Sequence, residues 1–193
     1  KGLSSKYKKQ VIATPISESA FLGMATGMTF TGSNVVVEIM FSDFLTIISD
    51  ILINTTSKIN LINKELLKGK IIIRTPNGGR RGYGPIHSQS LEKIFFGFSE
   101  INIIALSRLF DPYEIYKKIF SEKNEDKINL ILETKIDYSK KIIDEEFLEK
   151  NNFKKIVDET KEPIVELFNS NDKNDKTDFL IICYGGVVKE VID

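Results

Sequence analysis

The chain has 193 residues, of which 41% are hydrophobic, and its 27 basic side chains balance 27 acidic ones. This composition is that of an ordinary globular protein, and a net charge of zero argues against an obligate nucleic-acid binder, which needs a surplus of lysine and arginine. The balance is uneven along the chain, because residues 1–110 carry 13 basic and 7 acidic side chains (+6), whereas residues 111–193 carry 14 and 20 (−6).

The composition also excludes disulfides, zinc and membrane spans as organising features. One cysteine and one histidine are too few for a disulfide or a zinc site, and a chain of this length can bury a sizeable core without them. No apolar run approaches the ~18 residues of a membrane span, and the polar residues 1–10 form no signal-peptide core. We therefore expect a cytoplasmic protein, or a protein of the mitochondrial or plastid matrix if the source is eukaryotic.

Strands and helices alternate along the first part of the chain. Short apolar, β-branched runs predict strands, the first two fully buried, at residues 35–39, 71–73, 101–105, 129–132 and 179–183. Helical patterns cover residues 19–31 and 41–62, the second with an apolar face made of Phe44, Ile47, Ile48, Ile51 and Leu52. The alternation predicts an α/β fold, a mostly parallel sheet with helices on both faces, whose ligands sit beyond the carboxyl ends of the strands.

The second half of the chain is less regular. Residues 140–176 are dense in lysine, glutamate, aspartate and asparagine, and residues 169–176 include no apolar side chain. This composition predicts a surface linker. Residues 179–192 then read as a strand, a glycine turn and the start of a helix, which is the opening of a further domain.

Two short segments place candidate functional side chains at the starts of helices. Pro15 and Ser17 suit a helix start, so that Glu18 lies in the first turn, where it either complements the helix dipole or holds a proton for a bound base among apolar neighbours. Phe41 and Phe44 follow a predicted strand. They are either core residues or aromatic rings that stack on a planar ligand.

A long loop, residues 74–90, follows the second predicted strand and contains four glycines, two prolines and His87. Loops of this length usually have a function. The loop lacks the Gly-Lys-Ser/Thr ending of a phosphate-binding loop, and it lacks the repeats and interleaved aromatics of an arginine–glycine RNA-binding patch. The sequence leaves open whether His87 is structural or catalytic.

Taken in order, these segments resemble the beta subunit of the thiamine-diphosphate-dependent decarboxylating component of 2-oxo acid dehydrogenase complexes, of the pyruvate, branched-chain and acetoin type. Four motifs carry the resemblance, namely residues 14–18, 37–44, 74–79 and 83–90. It implies a transketolase-like pyrimidine-binding domain over residues 1–138, a charged linker over 139–177, and the start of a transketolase C-terminal-like domain at 178–193. We expect the first strand and helix of the pyrimidine-binding domain to precede Lys1.

The resemblance also implies a role for individual side chains. Glu18 matches the glutamate that hydrogen-bonds the aminopyrimidine ring of the cofactor and promotes its imino form, and Phe44 matches the aromatic that stacks on that ring. Ile16 and Met40 occupy positions that line the ring. His87 matches a histidine near the thiazolium that stabilises intermediates and assists acyl transfer to lipoamide. The catalytic candidates are thus Glu18 and His87.

A structural potassium ion, held by backbone carbonyls, is a further implication of the resemblance. The matching positions are Gly69, Ile71, Ile72, Ile119, Glu122 and Asn124. The sequence departs from the family here, since Glu122 stands where aspartate is usual and residues 124–127 look like a short insertion.

The implied protein is an enzyme only together with a partner. The chain has no Gly-Asp-Gly motif followed by a distant asparagine, so magnesium and the diphosphate would be held by an alpha subunit, in an α2β2 heterotetramer that serves a lipoyl-bearing acyltransferase core. The implied reaction is oxidative decarboxylation of pyruvate or a branched-chain 2-oxo acid, with neither nucleic acid nor membrane as a partner. Two alternatives stay open, namely a truncated, non-catalytic assembly module of the same fold, and a nucleic-acid binder that relies on Arg80 and Arg81.

Overall fold

The computed structural model describes residues 2–63, 65–121, 128–158, 164–169 and 179–193. Its main feature is a four-stranded, all-parallel sheet in the order β1-β2-β4-β3. A separate antiparallel pair joins β5 to β6. The strands are β1 Val35–Glu38, β2 Ile71–Asn77, β3 Ile101–Ala105, β4 Ile128–Thr134, β5 Phe153–Asp158 and β6 Ile164–Asn169.

Helices or 3₁₀ turns lie between successive strands of the parallel sheet, because parallel strands cannot be joined by a tight hairpin. The α-helices are α1 Leu3–Lys6, α2 Glu18–Thr29, α3 Leu45–Asp50, α4 Ile59–Ile62, α5 Pro112–Ser121, α6 Glu145–Lys150 and α7 Val188–Ile192. Short 3₁₀ turns occupy Ser42–Phe44, Pro85–His87, Glu92–Phe95, Lys135–Asp137 and Gly185–Val187, and a π-helical turn extends α3 over Ile51–Thr56. Within the described ranges, no helix combines the length and the apolar character that crossing a bilayer requires.

The two faces of the sheet are buried by different helices. Successive side chains of a strand point to opposite faces, so Ile71 and Ile73 of β2 pack against α2 and α3, while Ile72 packs against Ile115 and Ile119 of α5. Every residue of β2 except Arg74 is buried. The predicted α/β fold, with a parallel sheet and helices on both faces, is confirmed.

Two details of the predicted core are wrong. The strand at residues 35–39 is not fully buried, because β1 lies at the edge of the sheet, and Val37 is the one residue of β1 that is buried. In the helix after β1, Leu45, Ile48 and Leu52 form the buried stripe at i, i+3 and i+7. Ile47, which was predicted to lie on this face, falls outside the stripe and is 50% exposed.

Residues 179–183 do not form the predicted strand. Four large apolar side chains, Phe179, Leu180, Ile181 and Ile182, are exposed, and this segment makes no backbone hydrogen bond to another described segment. A strand requires a neighbouring strand as a partner, and none of the described strands provides one. The helix predicted after the glycine pair does form, since α7 packs Val188 and Ile192 into a cluster with Leu109, Ile143 and Leu148.

The region predicted as a linker contains regular structure. Helix α6 is capped by Asp144, whose side chain accepts a hydrogen bond from the Phe147 N–H, and Leu148 is buried. Apolar side chains of β5 and β6 pack at the edge of the same cluster, so sparse apolar residues suffice to organise a charged segment. Residues 170–177, the most polar part of the predicted linker, lie outside the described ranges.

The close approach of Gly69 to the preceding turn gives a testable prediction. A Cβ atom at Gly69 would lie 2.0 Å from the carbonyl oxygen of Ser33, whereas one at Gly27, in α2, would meet nothing within 4 Å. Gly69→Ala should lower the free energy of unfolding by about 1–3 kcal/mol, because the backbone must shift. Gly27→Ala should raise it by about 0.5–1 kcal/mol, because alanine favours a helix. Urea denaturation of both variants measures the difference, and equal midpoints would contradict this packing.

Candidate functional site

The candidate site lies at the carboxyl edge of the parallel sheet. Strands β1, β2 and β4 are parallel neighbours, so their carboxyl ends meet at one edge. Three segments follow these ends, namely the turn at 42–44, the loop at 78–90 and the turn at 135–137. Side chains from all three segments contact one another there.

An aromatic cluster made of Phe41, Phe44, Tyr83 and His87 forms the centre of the site. The ring centroid of Phe41 lies 4.6 Å from that of His87 and 5.6 Å from that of Tyr83, and Phe44 lies 5.5 Å from His87. The rings meet at 71–87°, which is the edge-to-face geometry that aromatic quadrupoles favour. The loop histidine is therefore held against two rings of the segment that follows β1.

Gln89, at the end of the loop, is anchored to the turn after β1. The Gln89 backbone N–H and side-chain Nε2 donate to Oδ1 of Asp43 over 3.3 and 2.9 Å, and the hydroxyl of Ser42 donates to the Gln89 carbonyl over 2.6 Å. Asp43 is buried, and its second oxygen, Oδ2, has no hydrogen-bond partner in the described chain. These three hydrogen bonds therefore fix the end of the loop, two residues after His87.

Lys135, just beyond β4, places a positive charge beside the aromatic cluster. Its side chain is 4% exposed, and its ammonium donates to the His87 carbonyl over 2.5 Å. The same ammonium lies 4.4 Å from the ring centroid of Phe41 and 5.7 Å from that of Tyr83, within cation–π range. Burial lowers the pKa of Lys135, and the negative charge of Asp43 opposes this effect.

An ion-pair network fixes the strand ends on the opposite face. Arg74 of β2 donates from Nε to Glu133 of β4 over 2.9 Å, donates a second hydrogen bond to the same carboxylate, and reaches Glu38 of β1 over 2.5 Å. The hydroxyls of Tyr138 and Tyr116 also donate to Glu133, over 2.7 and 3.3 Å. Burial alone would raise the pKa of Glu133, but the hydrogen bonds from Arg74 and Tyr138 outweigh burial and lower it. Burial and the Glu133 charge raise the pKa of Tyr116 to about 12.

The arginines of the loop have partners within the chain. Arg80 pairs with Glu190 of α7, and Arg81 donates to the Lys135 carbonyl over 3.1 Å. Both side chains therefore bind the loop to neighbouring segments, which leaves fewer free cations for a phosphate backbone than the sequence alone suggests.

A cavity of about 450 Å³ lies on the other side of the loop, between Asn77 and the segment at 182–190. The buried Glu92 lines it and accepts a 2.9 Å hydrogen bond from the Tyr184 hydroxyl, while its Oε2 has no partner in the described chain. Cys183 also lines the cavity and is half-buried. The segment at residues 182–190 thus lies along one side of the loop.

The predicted site residues are only partly brought together. Phe44 and His87 belong to the aromatic cluster. Glu18 is the first residue of α2 and is half-buried, whereas Ile16 is 88% exposed and Met40 is 56% exposed. The apolar surroundings expected for Glu18 are therefore not supplied by these two side chains within the chain alone.

Four of the six predicted potassium positions lie within the described ranges. Gly69 is buried before β2, Ile71 and Ile72 lie in β2, and Ile119 lies in α5, while Glu122 and Asn124 fall outside the described ranges. The Ile119 carbonyl accepts a 2.5 Å hydrogen bond from the ammonium of Lys70. A bound cation at that oxygen would face a like charge, so the described residues do not fit a potassium ion there. None of the described His, Cys, Asp and Glu side chains form a group of three that could hold a metal.

Sequence reasoning missed Lys135, Asp43 and Lys70 as contributors to these sites. Lys135 follows a strongly apolar strand at its carboxyl end, and a charged residue at that place could have been noted as a candidate. Asp43 lies inside a motif that was used for the resemblance, but its partner Gln89 is 46 positions away. Such pairings depend on the tertiary fold.

The chain belongs to the transketolase pyrimidine-binding domain family, which matches residues 1–140. Beta subunits of the pyruvate dehydrogenase E1 component are among the proteins similar to this chain. It is 33% identical over 125 residues to such a subunit from Gracilaria tenuistipitata var. liui, over 64% of this chain and 39% of that protein.

Pyruvate dehydrogenase E1 beta subunits of plants are also similar to this chain. The chain is 39% identical over 90 residues to the mitochondrial pyruvate dehydrogenase E1 subunit beta-2 of rice, which covers 46% of this chain and 24% of that protein. A mitochondrial subunit beta-1 of Arabidopsis thaliana is 33% identical over 106 residues, or 54% of this chain and 29% of that protein. A chloroplastic beta-2 subunit of the same plant is 31% identical over 125 residues. The chain spans about two-fifths or less of the length of these relatives.

Loss of the hydrogen bonds between Gln89 and Asp43 should make the loop at residues 78–90 more mobile. Asp43→Ala removes two hydrogen bonds to a charged acceptor, worth about 1.5–3 kcal/mol each, and should raise the rate of tryptic cleavage at Arg80 and Arg81 by about tenfold or more. The control is Asp50→Ala, which removes an exposed carboxylate bonded to Asn54. Mass spectrometry of the fragments identifies the cleavage site. Equal cleavage of wild type and Asp43→Ala at this loop would contradict the anchor.

The lowered pKa of Glu133 predicts how stability depends on pH. The stabilisation is present above the ordinary glutamate pKa of about 4.3 and is lost as the pH falls below it towards the lower native pKa. Glu133→Gln should cost about 1–3 kcal/mol at neutral pH, and its free energy of unfolding should fall less than that of wild type between pH 5 and about 3. Glu114→Gln, in an exposed pair with Lys117, should change stability by less than about 0.5 kcal/mol. Parallel pH curves for wild type and Glu133→Gln would refute the assignment.

Proposed function

We propose that the chain supplies the aminopyrimidine half of a thiamine diphosphate site in the decarboxylating component of a 2-oxo acid dehydrogenase complex. The reaction is the oxidative decarboxylation of pyruvate or a branched-chain 2-oxo acid, with transfer of the acyl group to lipoamide. The observation that carries the proposal is the aromatic cluster at the carboxyl edge of the parallel sheet, in which Phe44 and His87 lie 5.5 Å apart. Membership of a pyrimidine-binding family supports it.

The side chains at this edge suit a planar, partly polar ring. Phe44 is half-buried, so one part of its ring is supported by the core while the rest stays available to a ligand. Glu18 lies at the start of α2, and this helix start is tied to α3 by a 2.8 Å hydrogen bond from the Ser19 hydroxyl to the Ile47 carbonyl. The carboxylate of Glu18 can bind a ring nitrogen and hold a proton there. When bound, the cofactor supplies the carbon centre at which 2-oxo acids lose carbon dioxide.

His87 and Lys135 are proposed to act at the other end of the site. The imidazole of His87 is positioned by the rings of Phe41 and Phe44, while Lys135 holds its backbone carbonyl. This arrangement restricts the imidazole to one region of the edge, where it can hydrogen-bond an anionic substrate. The nearby ammonium adds a positive potential that favours a 2-oxo acid carboxylate.

An alpha subunit is the proposed partner. Ile16 and Met40, which would line the ring, are exposed in the isolated chain, and a partner that covers them would also shield Glu18 from water. We propose that this partner holds the magnesium ion and the diphosphate, that the assembly is an α2β2 heterotetramer, and that it passes acyl groups to a lipoyl-bearing acyltransferase core. A cytoplasmic location, or the matrix of an organelle in a eukaryote, is consistent with this role.

The proposal is tested in the assembled enzyme. Glu18→Gln, produced with the alpha partner, should lower the rate of oxidative decarboxylation by about 10²-fold or more, because it removes a proton-transfer group, while leaving the heterotetramer intact by size-exclusion chromatography. Glu114→Gln, which changes an exposed glutamate of α5, serves as the matched control. Equal rates for wild type and Glu18→Gln would remove the role of Glu18. An assembled wild type without activity towards any 2-oxo acid would favour the alternative, a non-catalytic assembly module of the same fold.

A further inference from the structure

We propose that the ammonium group of Lys70 serves as a built-in cation at the carboxyl end of α5, in place of a bound monovalent metal ion. The proposal concerns the stability of the sheet and of α5, and it does not depend on the catalytic role proposed above. It rests on how Lys70 is held, on which oxygen it contacts, and on the charge at that helix end.

The backbone N–H and carbonyl of Lys70 are both hydrogen-bonded. Its N–H donates to Oδ1 of Asn34 over 2.9 Å, and its carbonyl accepts from the Val35 N–H over 2.8 Å. The preceding Gly69 donates to the Thr29 carbonyl over 2.9 Å and leaves no room for a side chain. The start of the Lys70 side chain is therefore held in one place, and less conformational entropy is lost when its ammonium binds a partner.

The alternation of β2 directs Lys70 towards α5. Side chains at i and i+2 of a strand share a face, and Ile72, two residues further on, packs against Ile119. The ammonium of Lys70 reaches the Ile119 carbonyl over 2.5 Å and is partly buried there. A lysine that lies between the sheet and the helix that covers it thus joins these two layers.

The Ile119 carbonyl is a favourable place for a cation. It is one of the last four carbonyls of α5, Pro112–Ser121, which have no N–H partner within the helix. The carboxyl end of a helix carries a partial negative charge, which attracts cations. The neighbouring Lys118 carbonyl accepts instead from the Ser121 hydroxyl over 2.9 Å. Lys70 therefore acts as a side-chain cap for this helix end.

This arrangement replaces the potassium ion that the sequence resemblance implied. That ion would use the carbonyl of Ile119, and the ammonium of Lys70 already donates to the same oxygen. Two cations at one carbonyl would repel each other strongly in a partly buried setting. The ammonium carries the same charge as potassium and is covalently attached, so it cannot be lost by dilution or by exchange for another salt.

The experiment compares thermal unfolding midpoints in potassium chloride and in choline chloride at equal ionic strength. The purified wild-type protein should give the same midpoint in both salts, within about 1 °C. Lys70→Met keeps an unbranched stem but removes the charge, so its midpoint in choline chloride should fall by about 3 °C or more. Potassium chloride should restore part of this loss. Lys117→Met, which changes an exposed lysine of α5, should have the same unfolding midpoint in both salts.

Two results would overturn the proposal. The first is a wild-type midpoint that depends on potassium, which needs no variant to observe and would place a metal ion at the site despite Lys70. The second is a Lys70→Met protein whose stability equals that of wild type in both salts. If Lys70→Met does not fold, Lys70→Gln, which keeps a neutral donor, takes its place, and it too should gain a dependence on potassium.

Discussion

The interaction between Arg74 and Glu133 holds together the edge of the sheet on which the site is built. Arg74 lies in β2, one of the two inner strands, and it contacts a carboxylate of β4 on one side and of β1 on the other. Glu133 is buried, and a buried ion pair that loses one partner costs several kcal/mol, because the remaining charge has no compensation. Arg74 and its two partners therefore fix the ends of three strands. The segments that follow these strands start from fixed positions.

A second charged group acts on the other side of this edge. Lys135 follows Glu133 by two positions and holds the loop through the His87 carbonyl, while Asp43 holds the same loop through Gln89. The strands and the loop are thus fixed by separate sets of hydrogen bonds. Because the two sets of hydrogen bonds have no member in common, loss of one set leaves the other in place.

Much of the fold could be predicted from the sequence. The β-branched run that becomes β2, the strands at 101–105 and 128–134, and helix α2 have the expected type and approximate limits, since local patterning and burial agree there. The strand expected at 179–183 failed because apolar, β-branched residues require a sheet neighbour as well as propensity. Motifs predicted Phe44 and His87 as site residues, and the structure brings their rings together, whereas the contacts of Lys70 and Lys135 could not be predicted. A lysine beside a strand usually reads as a solvated residue, and its buried carbonyl partner is set by the tertiary fold.

The exposed run from Phe179 to Ile182 affects how the protein behaves in solution. Four consecutive large apolar side chains face water. Segments of strong β propensity and low charge tend to associate with identical segments of other molecules. Such self-association is a bimolecular process, so its rate rises with the square of the protein concentration. Dilute solutions and a co-purified partner that covers this run would therefore preserve the dispersed form, whereas concentration would favour precipitation before any change in the folded core.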